Sequence, residues 1–131
     1  MAAGTYCVTV LFIFVCAILV ISCSSISKEM RLQNNVFFSY GGIESTFVCG
    51  MLCLQSLRCE AFNYRSANLT CSLVDKRVNS TAIPEPGYVF SDIVGWNNAI
   101  AGPCATKPCD SNSFCVRGTS GYKCIKAAWA Q

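Results

Sequence analysis

The sequence contains no histidine, and charged residues make up only 13% of its 131 residues. Histidine is the commonest general base and metal ligand, so its absence excludes a serine or cysteine triad with a histidine base and every mixed cysteine–histidine zinc site. The net charge of +3 is too small for the strongly basic face that nucleic acid requires, so we expect no nucleic-acid partner. No Cys-x-x-Cys motif of the thioredoxin type occurs either.

Charge is also absent from the first 27 residues, most of which form an apolar leader. The fourteen residues 8–21 include a single polar side chain, and small residues follow at 22–25. This length suits the core of a signal peptide better than a membrane span, which needs about 20 residues. We predict a signal peptide over 1–24 and a secreted, extracellular protein. The alternative is an anchor retained over 6–23, because no lysine or arginine precedes the apolar run.

Cysteine is abundant, with 11 residues, of which three lie in the leader. Removal of the leader leaves an even number, which in a short secreted chain indicates a disulfide framework. These eight are Cys49, Cys53, Cys59, Cys71, Cys104, Cys109, Cys115 and Cys124. An all-cysteine zinc site is the alternative, since Cys49-x3-Cys53 has a suitable spacing. The other gaps within the first four and the last four are five, eleven, four, five and eight residues, so disulfides are favoured and we expect no metal and no cofactor. Two sequons predict glycosylation of Asn68 and Asn79 on exposed loops.

The segment around the first four cysteines has the pattern of one helix and several strands. Residues 30–40 are predicted as extended, followed by a break at Gly41 and Gly42. Apolar residues at three- and four-residue spacings predict a helix over 45–57, with Cys49 and Cys53 on one face. A hairpin is predicted from strands 59–64 and 70–75 with a turn at 66–68, and a last strand at 88–94. Residues 84–87 and 101–103 are interpreted as turns.

Apolar and aromatic residues follow these cysteines at short spacings. The order is Cys49-x3-Cys53-x5-Cys59-x-Ala61-Phe62-x-Tyr64, then Cys71-x-Leu73. This order resembles the core of a PAN/apple domain over residues 28–95. The resemblance implies one helix packed on an antiparallel sheet, a small disulfide-rich α+β fold, with disulfides Cys49–Cys71 and Cys53–Cys59. It also implies a binding module for protein or carbohydrate. The third disulfide that often joins the terminal strands is absent, because residues 30–40 and 88–95 contain no cysteine.

The second group reads Cys104-x4-Cys109-x5-Cys115-x8-Cys124, with Tyr122 two residues before the last cysteine. It resembles the first two-thirds of an EGF-like module, a short β-hairpin unit, over 104–126, between a linker at 96–103 and a tail at 127–131. The resemblance implies disulfides Cys104–Cys115 and Cys109–Cys124. The Cys-x-Cys continuation is missing, since residue 126 is Lys126. The residues before Cys104 offer no acidic ligand, so we expect no calcium site.

No arrangement of side chains predicts catalysis. Six scattered carboxylates show no pairing suited to glycoside hydrolysis: Glu44, Glu60, Asp75, Glu85, Asp92 and Asp110. Four basic residues would bind heparin-like chains if they shared a face, although no long basic run exists and a solvated face is favoured: Arg58, Arg65, Lys76 and Arg77. Trp96 and Trp129 are the candidates for exposed contacts.

The sequence thus predicts a secreted, non-enzymatic recognition or adhesion protein that binds an extracellular protein or glycan through a PAN/apple-like domain. Two alternatives remain open. If the leader is retained, the protein is a membrane-tethered ectodomain, and only then is the membrane a partner. If the EGF-like module is truncated, the chain is a fragment of a larger mosaic extracellular protein.

Overall fold

The computed structural model of the protein describes residues 26–75, 77 and 80–129. The predicted signal peptide, the alternative anchor over 6–23 and the sequon at Asn79 lie outside these residues. The regular elements are β1 (Ile26–Leu32), β2 (Val36–Tyr40), α1 (Thr46–Leu54), β3 (Ala61–Arg65), β4 (Thr70–Val74), β5 (Ala82–Asp92), β6 (Ser113–Gly118) and β7 (Gly121–Lys126). Two short 3-10 helices span Ser66–Asn68 and Asn98–Cys104.

Five strands form an antiparallel sheet in the order β1-β5-β3-β4-β2, and β6 and β7 form a separate hairpin. The central pair β3 and β4 places Phe62 opposite Leu73, and both side chains are fully buried. Helix α1 packs on this sheet through Cys49, Cys53 and Leu54. The predicted small α+β fold, with one helix on an antiparallel sheet, is confirmed.

Helix α1 begins where the sequence predicts but ends earlier. Ser45 is its N-cap, and the Ser45 hydroxyl oxygen accepts a hydrogen bond from the Val48 N–H at 3.2 Å. The prediction that the helix continues to residue 57 is wrong, because it ends at Leu54. The Cys53–Cys59 disulfide brings the two Cα atoms to 5.1 Å. Six residues of helix would rise about 9 Å, so the chain has to leave the helix to close this bond.

Residues 84–87, interpreted as a turn, lie inside β5. Strand β3 pairs with β5 only as far as Tyr88, so the first part of β5 is hydrogen-bonded to β1 alone. A proline without an N–H is tolerated in such a position. Gly87 has a φ of +83°, and the register with β1 shifts next to it. The turn residues therefore make a bulge instead of reversing the chain.

Four disulfides connect these elements: Cys49–Cys71, Cys53–Cys59, Cys104–Cys115 and Cys109–Cys124. The pairs are the ones that the two resemblances imply. Cys49–Cys71 joins α1 to β4, and Cys104–Cys115 joins the second 3-10 helix to β6. Helix α1 is thereby tied to the sheet, and the second 3-10 helix to the hairpin of β6 and β7.

The segment 96–103, interpreted as a linker, packs into the same core as the sheet. Ala101 and Cys104 are buried in one cluster with Cys49 and Phe62. The Trp96 ring covers helix α1 at Gly50, where any Cβ atom would overlap the indole. Glycine is unfavourable inside a helix, so its presence here is explained by the close approach of the ring.

Candidate functional site: a cleft between strand β2 and the C-terminal segment

A cleft of about 530 Å³ lies between the start of β2 and the C-terminal segment, and we call it the β2 cleft. It is lined by Asn35, Val36, Phe37, Phe38, Arg58, Asp75, Ala128 and Trp129. Arg58 follows helix α1, and Asp75 follows strand β4. Four separate parts of the chain therefore meet at this site.

The polar side of the β2 cleft is an ion pair. The Nε and Nη2 atoms of Arg58 both donate to Oδ2 of Asp75, at 3.2 and 3.1 Å. The backbone N–H of Asp75 donates to the carbonyl oxygen of Asn35 at 3.0 Å, which fixes the carboxylate beside β2. The side chains are 34% and 20% exposed, so the pair contributes little to stability but presents two oriented polar groups to the cleft.

The apolar side of the β2 cleft is aromatic. The Trp129 ring meets Phe37 edge-on at 5.0 Å between centroids and Phe38 at 5.3 Å. Its Nε1–H donates to the carbonyl oxygen of Ser111 at 3.0 Å, which fixes the orientation of the indole. The Arg58 guanidinium lies over the Phe37 ring, 4.4 Å from its centroid. Trp129, predicted as an exposed contact, is half-buried and forms a wall of the cleft.

The part of the chain that forms the five-stranded sheet matches a known protein family. A family model described as the PAN domain matches residues 23–95, which is more than half of the chain. The chain belongs to the PAN domain family. PAN domains are non-catalytic modules that bind proteins or carbohydrates, and they are typical of extracellular proteins. A comparison with the curated proteins finds no match.

The PAN match ends at residue 95, so Ala128 and Trp129 of the β2 cleft lie outside it. The cleft is thus a composite of the PAN domain and the segment that follows. The EGF-like resemblance of residues 104–126 stays a prediction. Within the part of the chain that the structure describes, no helix is long and apolar enough to cross a membrane.

Each arginine of the PAN domain within the described residues has an acidic or aromatic partner. Arg58 is hydrogen-bonded to Asp75. Arg77 Nε lies 2.6 Å from Oδ1 of Asp92, as an ion pair without hydrogen-bond geometry. The guanidinium of Arg65 lies 5.4 Å from the centroid of the Tyr88 ring. Lys76 lies outside the described residues. The heparin-like interpretation therefore gains no support from the structure.

Several of the carboxylates also have partners in the structure. Asp75 and Asp92 are bound by arginines, and Glu85 is paired with Arg31. Glu60 accepts a hydrogen bond from the backbone N–H of Arg77 at 3.0 Å. A general acid and base pair for glycoside hydrolysis needs two carboxylates that face each other across a substrate, and the β2 cleft is lined by one carboxylate, that of Asp75.

A second, apolar cleft of about 440 Å³ lies on the opposite end of helix α1. Phe47, Trp96 and Ile100 are among its lining residues, and Phe47 is 51% exposed. Trp96 was predicted as an exposed contact. It is half-buried, 5.5 Å from Phe62 between centroids, and its Nε1–H donates to the Ser91 hydroxyl at 3.0 Å. Its role in the structure is to join the segment after β5 to the helix.

The sequence does not indicate that Asn35 and Asp75 belong to one site with Trp129. Asp75 stands at the end of a predicted strand, and a short polar residue there is an ordinary turn signal. The available signal is the Trp129 side chain itself, an aromatic residue in an alanine-rich tail. Its partners on β2 follow from how the C-terminal segment folds back.

Proposed function

We propose that this protein is a secreted recognition protein that binds an extracellular protein or a glycan through its PAN domain, without chemical turnover. The observation that carries the proposal is the PAN match over residues 23–95, because PAN domains bind these two classes of partner. The β2 cleft supports it, since ligand sites are concave and combine aromatic side chains with a few convergent polar groups.

Secretion is part of this proposal. The apolar leader, the even number of cysteines after it and the four disulfides all suit an oxidising compartment. Asn68 adds to this, since it is exposed in the short turn between β3 and β4, where a glycan has room. We propose that Asn68 is glycosylated, together with Asn79. The EGF-like module is proposed as a partner unit of the PAN domain.

The proposal is tested by producing the chain in a secreting eukaryotic host. Mass spectrometry without reduction is expected to find an N-terminus near residue 25, the four disulfides and glycans at the two sequons. The secreted protein is then applied to a glycan array and to a panel of extracellular proteins, with a reduced and alkylated sample as the control for folded structure. Saturable binding by the native sample alone supports the function. Persistence of residues 6–23 would replace secretion by tethering, and binding to neither panel would refute recognition.

A further inference from the structure

We propose that the β2 cleft binds a single uncharged hexopyranose at the end of an extracellular glycan, and that Trp129, outside the PAN match, is one of its binding residues. The inference rests on the proposed recognition function and narrows it to one ligand class and one site. It assigns a binding role to the C-terminal segment, which the family match does not cover.

The size of the cleft favours a small ring over a protein surface. Its volume of about 530 Å³ falls in the usual range for small-molecule sites, roughly 300–1,000 Å³. A stable protein–protein interface buries about 800 Å² on each partner, which is much more than eight lining residues supply. One monosaccharide with its linkage leading out of the open side is the better fit.

The polar groups of the cleft suit the hydroxyls of a sugar. Both Arg58 hydrogen bonds go to Oδ2 of Asp75, and no contact within the described part of the chain is made by Oδ1. The Nη1 atom of Arg58 takes no part in these two hydrogen bonds. Nη1 projects from the guanidinium opposite to the edge that binds Oδ2, so this donor and the Oδ1 acceptor lie on different sides of the ion pair. Since each hydroxyl both donates and accepts, separate hydroxyls of a pyranose can bind at the two positions.

The aromatic side of the cleft suits the face of a sugar ring that exposes C–H groups. Phe37, Phe38 and Trp129 form one contiguous group of rings along the cleft. The face of an aromatic ring carries partial negative charge and attracts polarised C–H groups. A pyranose exposes such C–H groups on one face and hydroxyls at its edge. A pyranose against Trp129 lies beside the Arg58–Asp75 pair, because the Arg58 guanidinium covers Phe37, the ring next to Trp129.

Charge selects an uncharged sugar over a sulfated one. Arg58 and Asp75 are the only charged residues that line the cleft in the part of the chain that the structure describes, and their charges cancel. A sulfate or a uronic carboxylate would approach the Asp75 carboxylate and compete with it for Arg58. Like charges brought together at a binding site oppose binding, so the pair acts against acidic ligands.

The test uses the mature, disulfide-bonded chain labelled with ¹⁵N. Methyl α-D-glucopyranoside, methyl α-D-galactopyranoside and methyl α-D-mannopyranoside are titrated separately, and a heparin disaccharide is the acidic comparison. We expect at least one glycoside to give saturable shifts of the Trp129 indole N–H and of the amides of Phe37 and Asp75, and the heparin disaccharide to give none there. If no glycoside shifts these signals, or only the heparin disaccharide does, the inference is overturned.

Two variants and one control separate binding from folding. Trp129→Ala and Asp75→Asn are each expected to weaken the glycoside by about tenfold or more, since each removes one side of the site. Asp75→Asn keeps the shape of the side chain and so remains informative if Trp129→Ala loosens the tail. Tyr122→Ala removes an aromatic residue of β7 that is 52% exposed and outside the cleft, and it is expected to bind normally. Unchanged affinity in both cleft variants would overturn the inference.

Failure of this inference is distinguishable from failure of the proposed function. If glycans or proteins on the panels bind equally well to the wild type, Trp129→Ala and Asp75→Asn, recognition stands and the assigned site is wrong. If the wild type binds no glycoside and nothing on either panel, both are wrong.

Discussion

The backbone N–H of Cys115 donates a hydrogen bond to the carbonyl oxygen of Gln55, at 3.1 Å, and thereby joins β6 to the residue that caps helix α1. Two further contacts join the segment after residue 95 to the PAN domain. The Nζ atom of Lys107 donates to the Cys59 carbonyl oxygen at 3.4 Å, and Trp129 packs on β2. The segment after residue 95 therefore shares one core with the PAN domain and completes its β2 cleft.

Trp96 is expected to be a principal link between the two parts. Replacing it by alanine removes its contacts with Gly50 and Phe62 and its bond to Ser91. We expect the free energy of unfolding to fall by about 3 kcal/mol, the lower end for large aromatic deletions, because the ring is only half-buried. Urea unfolding measures this. Val94→Ala, at a side chain that is 91% exposed, is the control and should change stability by about 0.5 kcal/mol or less.

The effect of Gly50→Ala on the free energy of unfolding is expected to change sign when Trp96 is replaced by alanine. Alanine is the better helix former, but its Cβ atom would overlap the indole. We expect a loss of about 1–3 kcal/mol in the wild type from this overlap. In a Trp96→Ala background the same change should stabilise, by up to about 1 kcal/mol. Thermal unfolding of the four proteins decides this, and destabilisation in both backgrounds would refute the close approach. Gly41→Ala, where no atom lies within 4 Å, is the control.

Asn63 is expected to be essential for the position of β1. Its side chain accepts from the Leu32 N–H at 2.8 Å and donates to the Leu32 carbonyl at 2.9 Å, and both residues are buried. Asn63→Leu leaves these two backbone groups without partners, which should cost about 2–4 kcal/mol. Chemical denaturation measures the loss. The matched control is Ser39→Ala, which removes an exposed hydroxyl bond to Ser72, and equal losses for the two variants would contradict the account.

Lys107 makes stability depend on pH in the alkaline range. Burial lowers the pKa of Lys107 from 10.5, and the neighbouring Glu60 carboxylate opposes part of that shift. Between the lowered pKa and 10.5 the unfolded chain binds more protons than the folded protein, so the free energy of unfolding rises with pH in that window. Lys107→Met should lack this rise when urea unfolding is repeated at several pH values.

Tyr40 adds a second pH dependence of stability in the alkaline range. It cancels when the wild type is compared with Lys107→Met. Burial raises the pKa of Tyr40 above 10.0, so Tyr40 lowers stability as the pH rises past that value. Because Tyr40 is present in both proteins, the difference between wild type and Lys107→Met reports Lys107 alone. The same pH dependence in both proteins would show that Lys107 is not desolvated.

The sequence predicts the local parts of this fold well. The hairpin of β3 and β4, the turn at Ser66–Asn68 and the start of α1 depend on neighbouring residues, such as the Ser45 cap, which are visible in the chain. The end of α1 was predicted wrongly because a disulfide between Cys53 and Cys59 overrides helical periodicity. Residues 84–87 were interpreted as a turn because local signals do not reveal the pairing with β1.

The candidate site was not predictable in the same way. Asp75 and Trp129 meet only because the C-terminal segment folds back along β2. The sequence makes Trp96 and Trp129 candidates for exposed contacts because they lie in a loop and in the tail, but their contacts with Gly50 and Phe37 depend on tertiary packing. The sequence shows that such residues are present, but their contacts follow only from the three-dimensional structure.

The most direct test of the account compares the secreted wild type with Trp129→Ala and Tyr122→Ala on one glycan array. The account predicts that wild type and Tyr122→Ala bind the same glycans with uncharged terminal hexoses, and that Trp129→Ala, with its four disulfides intact, loses them. Equal binding by Trp129→Ala, or binding confined to sulfated glycans, would contradict it.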